Sequence, residues 1–550
     1  MATFTGGTAF GITSDFNGFR FVRQLPTTST SSRFSFVGLL SGQSVPSTQV
    51  RVTVDGNNLV YRNINGIPAP VSGLVEQVTV VAVNTAKVVG TIEFPGAGVN
   101  ISQVSRIFPL LPAIFAQNDS IAGTNFNDRL LGYNGQDILF GKLGNDTLNG
   151  GAGNDTLVGG IGRDIYYVDS SADVISEASS NPSEIDLVFS SANSFILRAN
   201  VEQLVLQAGA IAGTGNALNN LIFGNAANNQ LSGGAGNDTL NGGAGNDILI
   251  GGIGNDIYYV DSSADVISEA SSSPSEIDFV FSSANSFILR ANVEQLVLQA
   301  GAIAGTGNAL NNLIFGNAAN NRLSGGAGND TLNGGAGNDI LIGGIGRDIY
   351  YVDSSADVIS EASSIPSEID LVFSSANSFI LRANVEQLVL QAGAIAGTGN
   401  ASNNSIFGNA ANNRLSGGAG NDTLNGGAGN DILVGGAGND LLVGATGLDR
   451  FIFNAPNEGI DTIINFSVSE DAIAVSAAGF GGGLSAGVTL APTQFTIGAA
   501  ATTSNHRFIY NQTSGALFFD RDGLGGTEQI QIARFSGGLA MTSEDFSVIA

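Results

Sequence analysis

The chain has 550 residues, 77 of them glycine and none cysteine, with 47 acids against 20 Lys and Arg and a formal charge of −27. Such a charge repels phosphate backbones and anionic bilayers, which argues against nucleic acid and membrane surface as partners and leaves divalent cations as the natural counter-charge. Without cysteine there is no disulfide scaffold, no thiolate metal site and no cysteine nucleophile.

The N-terminal stretch MATFTGGTAFGITSDF lacks the basic start and apolar run of a cleavable signal. The most apolar run, Ile107 to Ala116, is about half a membrane span in length and is broken by Pro109 and Pro112, so no span is expected. Residues 1–117 carry no repeat. Runs such as Val50 to Val54, Leu59 to Arg62 and Val78 to Val83, punctuated by Gly, Pro and Asn, predict short strands of a β-rich domain, with the Thr27 to Ser32 tract as a loop.

From Ile121 a nine-residue register begins. GTNFNDRLL, GYNGQDILF, GKLGNDTLN, GGAGNDTLV and GGIGRDIYY place Asp128, Asp137, Asp146, Asp155 and Asp164 nine apart. The same block returns at a 92-residue period, with Asp238, Asp247 and Asp256, then Asp330, Asp339 and Asp348, then Asp422, Asp431, Asp440 and Asp449. Near identity between copies means duplication of one module. The blocks span about residues 121–168, 224–260, 316–352 and 408–451 of a region 118–450. Between them lie linkers such as YVDSSADVISEASSNPSEIDLVFSSANSFILRANVEQLVLQ, whose apolar residues fall in strand-like groups at Val174 and Ile175, Leu187 to Phe189, Phe195 to Leu197 and Val201 to Leu206. Asn220 and Asn229 stand at the aspartate position, so the linkers read as further coils in which asparagine side chains replace bound ions; a helix over Asn200 to Gln207 is the competing reading. Residues 451–550 have no repeat and predict a β cap closing the outer edge, ending in SEDFSVIA.

Each unit pairs a glycine turn with an aspartate and a short apolar strand. Calcium takes six to eight oxygen ligands in irregular geometry. Glycine at positions one, two and four is expected to supply positive φ angles that aim carbonyls at one point, and the aspartate at position six adds a carboxylate. One turn offers too few ligands. If two nonamers make one coil, each turn stacks on the turn two units later, which pairs Asp128 with Asp146, Asp137 with Asp155, Asp146 with Asp164, Asp238 with Asp256, Asp330 with Asp348, Asp422 with Asp440 and Asp431 with Asp449. Asn229 with Asp247, and Asp155 with Asp173, are weaker candidates. Several Ca2+ ions are the expected cofactors, and the fifteen aspartates of the four blocks are candidate ligands.

The pattern G-G-x-G-x-D-x-U-x resembles the calcium-binding repeat of RTX, or hemolysin-type, proteins. The opening GTNFNDRLLGYNGQDILFGKLGNDTLNGG and the YVD, SEID and VEQLVL linkers resemble multi-block bacterial members, and DRFIFN and GIDTIINF, with Asp449 and Asp461, resemble the C-terminal part of serralysin-type proteins. The resemblance implies an all-β fold with a right-handed parallel β-roll, calcium between turns, and secretion through a type I channel by an uncleaved C-terminal signal, which SEDFSVIA could supply. Three departures stand out. His506 is the sole histidine and there is no H-E-x-x-H, so a serralysin zinc site is absent. The long apolar helices of pore-formers are not evident, nor is a G-x-S-x-G elbow near a histidine. DRDG at Asp520 to Gly523 reads as a turn.

The expectation is an extracellular, non-enzymatic, calcium-folded protein with a structural, surface-layer, matrix or adhesion role. Cell-surface or matrix polysaccharide is a candidate partner, and self-assembly stays open because solenoid sides and ends can stack. The alternatives are an extracellular polysaccharide-acting enzyme, or an adhesin, using the repeats as a secretion and folding module. The enzyme would need two close carboxylates, for which residues 1–117 offer chiefly Asp15, Asp55, Glu76 and Glu93.

Overall fold

In the computed structural model, residues 118–550 are described apart from 119, 124, 179–180, 182, 271–272, 274, 363–364 and 366, together with the backbone of six strands before residue 118. The Ile107 to Ala116 run, residues 27–30 of the Ser/Thr tract, and Asp15 lie outside the described residues.

The six early strands are Ala2–Thr5, Ser31–Leu39, Gln49–Ile64, Ile67–Ala82, Lys87–Glu93 and Val99–Asn100. Ser31–Leu39, Gln49–Ile64, Ile67–Ala82 and Lys87–Glu93 pair antiparallel in succession, and Ala2–Thr5 adds parallel to the last. Val50 to Val54 and Leu59 to Arg62, expected as separate strands, belong to one strand. Its register shifts between Asp55 and Gly56 and again around Asn57 to Val60, because the Gly and Asn residues that look like a break can also form a bulge within a strand.

The chain divides into two compact units, Met1–Asp278 and Phe279–Ala550. Within each, short strands alternate between two parallel sheets of a β-solenoid. In the first unit one sheet runs through Arg129–Leu131, Thr147–Asn149, Ile165–Val168, Leu187–Ser190, Gln203–Leu206, Leu221–Asn225, Thr239–Gly243 and Ile257–Val260. Opposite it lie Ser120–Ala122, Ile138–Leu143, Thr156–Ile161 and Val174–Ser176, then a second run from Ser194–Ile196 to Val266–Ser268. Register is fixed by the three-residue strands: in Thr147–Asn149 only Leu148 points inward, and it stacks on Leu130 below and Tyr166 above. Leu139, Leu148, Leu157, Tyr166, Leu240, Leu249 and Tyr258 are wholly buried, so the core is a narrow column to which a three-residue strand gives one side chain and a four-residue strand such as Ile165–Val168 gives two. The linkers are coils of the same kind, and Gln203–Leu206 is a strand, not part of a helix.

The second unit repeats this plan from Phe279–Ser282 onward. Rung pairing continues past residue 450, through Arg450–Phe453 and Ala472–Ser476. There buried phenylalanines pack in two groups, Phe451, Phe466 and Phe535 in one and Phe480, Phe508, Phe519 and Phe546 in the other. The closing strand Phe546–Ile549 lies parallel to Ala472–Ser476, so the tail is part of the cap. His506 sits in the turn before Phe508–Asn511, its Nδ1 accepting the Thr502 N–H. DRDG is a turn, with Asp520 Oδ1 accepting the N–H groups of Asp522 and Gly523.

Candidate metal centres

In Gly233 to Asp238, the glycines at positions two and four, Gly234 and Gly236, take φ of 116° and 107°, the left-handed backbone that glycine alone adopts without strain. Position one behaves otherwise and corrects the expectation of three positive φ angles: Gly233 is not in that region. A Cβ there would instead overlap Oδ2 of Asp238, and the same holds for Gly141 with Asp146, Gly242 with Asp247 and Gly426 with Asp431. The first glycine is a space for the carboxylate that closes its own turn.

The carboxylates join successive coils. The Asp128 N–H donates to Asp146 Oδ1 at 2.6 Å, Asp137 to Asp155 at 2.7 Å and Asp146 to Asp164 at 2.6 Å. Asp238 donates to Asp256 and Asp330 to Asp348, both at 2.7 Å, Asp422 to Asp440 at 2.8 Å and Asp431 to Asp449 at 2.9 Å. All seven expected pairs therefore meet across an 18-residue coil. Asp247 and Asp339 accept from Asn229 and Asn321 at 2.7 Å, and donate to Asp265 and Asp357.

The other oxygen is what makes these turns candidate ion sites. Oδ2 is buried without a hydrogen-bond partner in Asp146, Asp155, Asp164, Asp238, Asp247, Asp256, Asp330, Asp339, Asp348, Asp422, Asp431, Asp440 and Asp449. A buried, unsatisfied charged oxygen is among the costlier features a fold can carry. Carbonyl oxygens converge on the same spaces: a Cβ on Gly141 would meet Gly159 O at 2.6 Å beside Asp146 Oδ2, and one on Gly417 would meet Gly435 O at 2.5 Å beside Asp422 Oδ2. Buried carboxylate and carbonyl oxygens aimed at one gap are a hard-oxygen donor set, which suits calcium.

Without an ion the carboxyls resist ionisation. Burial, and then the charges of Asp164 and Asp128, push Asp146 up to about 8 against the pull of the Asp128 N–H. Burial and the next coil's aspartate raise Asp238 and Asp330 to about 7. Burial likewise lifts Asp164, Asp256 and Asp348 to about 6, with Glu184, Glu276 and Glu368 adding repulsion.

Other members of these columns were not expected from the nine-residue step. Asp186, Asp278 and Asp370 accept the N–H of Asp164, Asp256 and Asp348 at 2.7 Å, 22 residues on. Asp461 and Asp471 do the same for Asp440 and Asp449, at 3.1 and 3.0 Å. Insertions in the intervening loops hid them. Asp173, paired with Asp155 at 2.8 Å, spends Oδ2 on the N–H groups of Asp169 and Ser170 and is a loop cap. Asn220 instead turns Oδ1 to its own turn, accepting the Asn216 N–H at 2.6 Å, and donates Nδ2 across to Val201 O and Glu202 O at 3.1 and 3.3 Å; Asn229 donates to Ala210 O at 3.1 Å.

The family model described as RTX calcium-binding nonapeptide repeat (4 copies) matches residues 115–148, 141–175, 214–249, 232–267, 306–341, 315–350, 325–359, 398–433 and 416–451. No curated protein matches the chain. Among solved structures, the extracellular lipase LipA from Serratia marcescens is similar at 18% identity over 48% of this chain and 44% of that protein, less than half its length, with a TM-score of 0.19 that is too low to carry an argument. Repeat spacing, stacked carboxylates, a parallel β-solenoid and the family match agree, and the chain carries RTX nonapeptide repeats of the calcium-binding kind.

Proposed function

We propose that this chain is a secreted, non-enzymatic scaffold that winds into its solenoid on meeting calcium outside the cell, and that it serves a structural, surface-layer or matrix role. The observation that supports this is the column of buried aspartates, each with one oxygen tying coil to coil and the other left for a cation. An ion at a hundred times its dissociation constant adds about 2.7 kcal/mol to the folded state, and many such sites add together. The fifteen nonapeptide aspartates are the proposed ligands. Export through a type I channel, with the C-terminal tail as signal, belongs to the same reading: a chain without disulfides and short of calcium can stay unwound until it is outside. Matrix or cell-surface polysaccharide is the partner we favour, and side-by-side self-assembly is compatible with the scaffold role.

A calcium titration of the full chain, followed by circular dichroism and sedimentation, tests this. The expected result is a cooperative gain of β signal and a more compact particle as calcium rises. A β spectrum that excess chelator leaves unchanged sinks the proposal.

A further inference from the structure

Three places in the described residues gather carboxylates in a way that the nonapeptide turns do not. Asp164, Glu177 and Asp186 bring one oxygen each to within 4.8 Å of one another, as do Asp256, Glu269 and Asp278, and Asp348, Glu361 and Asp370. Each trio joins the last glycine turn of a block to the linker that follows. Glu177 comes directly after Ser176, which pairs with Val158, so it stands one coil beyond Gly159, where a nonapeptide would put its first glycine. Its Oε2 accepts the Gly160 N–H at 3.3 Å, which leaves Oε1 turned toward the trio.

A fourth oxygen reaches the same point from the core. A Cβ on Gly159 would overlap Tyr166 Oη, Glu177 Oε1 and Asp164 Oδ2 together, and Gly251 and Gly343 are enclosed in the same way by Tyr258 and Tyr350 with their acids. Tyr166, Tyr258 and Tyr350 are wholly buried, and their hydroxyls have no hydrogen-bond partner. A buried phenol without a partner is as costly as a lost hydrogen bond. Leucine fills the stacked core position in Leu148 and Leu240 without a polar atom, so hydrophobic packing does not require the hydroxyl. In the third copy, a cavity of 390 Å³ lined by Glu368, Asp370 and Glu386 shares Asp370 with the cluster.

We propose that each trio, with its tyrosine hydroxyl, is a second class of divalent-cation site, three per chain, built from three carboxylates and a phenol oxygen instead of glycine-turn carbonyls. The occupant is a hard cation taken up by oxygen ligands, with calcium as the probe. More carboxylates per ion means tighter binding, so these sites fill before the glycine turns and order each linker against the block before it. This rests on the calcium reading of the repeats, and the following experiment separates the two.

Bound calcium per chain is counted by equilibrium dialysis in the full protein and in the triple variant E177Q/E269Q/E361Q. Loss of three ions from the tightest class, with the remaining uptake intact, is the expected result. If the wild type binds only three ions and the variant none, the glycine-turn reading fails and this one stands; an unchanged count in the variant overturns this one. Should the glutamine variant not fold, Y166F/Y258F/Y350F preserves the core and is read by terbium luminescence. The chain has no tryptophan, so sensitised emission comes from tyrosine close to the ion. The variant is expected to lose most of that emission, and retention of the full signal overturns the proposal.

Discussion

Position two of the nonapeptide is where the backbone asks most of a side chain. Tyr133, Lys142 and Ala445 occupy it in the first two glycine turns after Asp128 and in the last, with φ of 76°, 88° and 76°. Left-handed backbone costs a non-glycine residue about 1–2 kcal/mol, and Ala445 is exposed, so little burial offsets that. Ala445→Gly should therefore stabilise the folded chain by about 1 kcal/mol, read as a rise in urea midpoint at saturating calcium. Titration follows from single residues as well. Folded, ion-free Asp146 is raised to about 8, Asp238 to about 7 and Asp164 to about 6, from an ordinary value of 3.8. A carboxyl raised by folding stabilises the fold below its ordinary value and withdraws that support as pH climbs through the raised one. In calcium-free buffer, whatever β signal low pH permits should accordingly fade between about pH 4 and about pH 8, whereas saturating calcium, which needs the deprotonated form, should remove or reverse the trend. A β signal that strengthens with pH in calcium-free buffer contradicts the site geometry.

At the level of the coil, one atom distinguishes an ion-type turn from a self-sufficient one. Asn220 Nδ2 donates to the carbonyls of Val201 and Glu202 from the preceding coil, where an aspartate would present a second acceptor. Asn220→Asp should cost about 1–3 kcal/mol at a calcium level just sufficient to fold the chain, as the Val201 and Glu202 carbonyls lose their donor, and recover most of that at saturating calcium. Urea unfolding at the two calcium levels measures it, and equal losses in the two would mean that no ion enters the new turn. The strands of these coils were legible in the sequence, since a three-residue strand with one apolar centre leaves little freedom of register, and the aspartate pairs followed from two nonamers per coil. Less visible was why position one is glycine, because steric room for a carboxylate and freedom of φ look alike as a letter. Glu177, Glu269 and Glu361 escaped for a different reason. They stand on the nine-residue step but at its first position, where glycine and not an acid is the expected letter, and Asp186, Asp278 and Asp370 follow loops that add residues to a coil, so the aspartate periodicity alone could not bring them to Tyr166, Tyr258 and Tyr350. The aromatic cap was expected only as β structure closing an edge, since nothing periodic marks which phenylalanines meet.

Across the whole chain, each unit combines a narrow apolar column with many buried acids, so folding should depend on the particular cation and not on ionic strength alone. Magnesium insists on near-octahedral geometry and gives up its water reluctantly. At equal concentration it should leave the chelated chain largely without β signal, where calcium restores it; equal recovery in magnesium would mean that charge screening is enough. One coil stands apart from this dependence. Lys142, at position two of its turn, reaches back so that its Nζ donates to Gly123 O at 2.7 Å. That ammonium is tethered to the polymer, and no chelator can strip it away. The rung between Gly123 and Lys142 thus carries its own positive charge into every medium the chain crosses, a resident counter-ion at the head of the array that dialysis leaves in place.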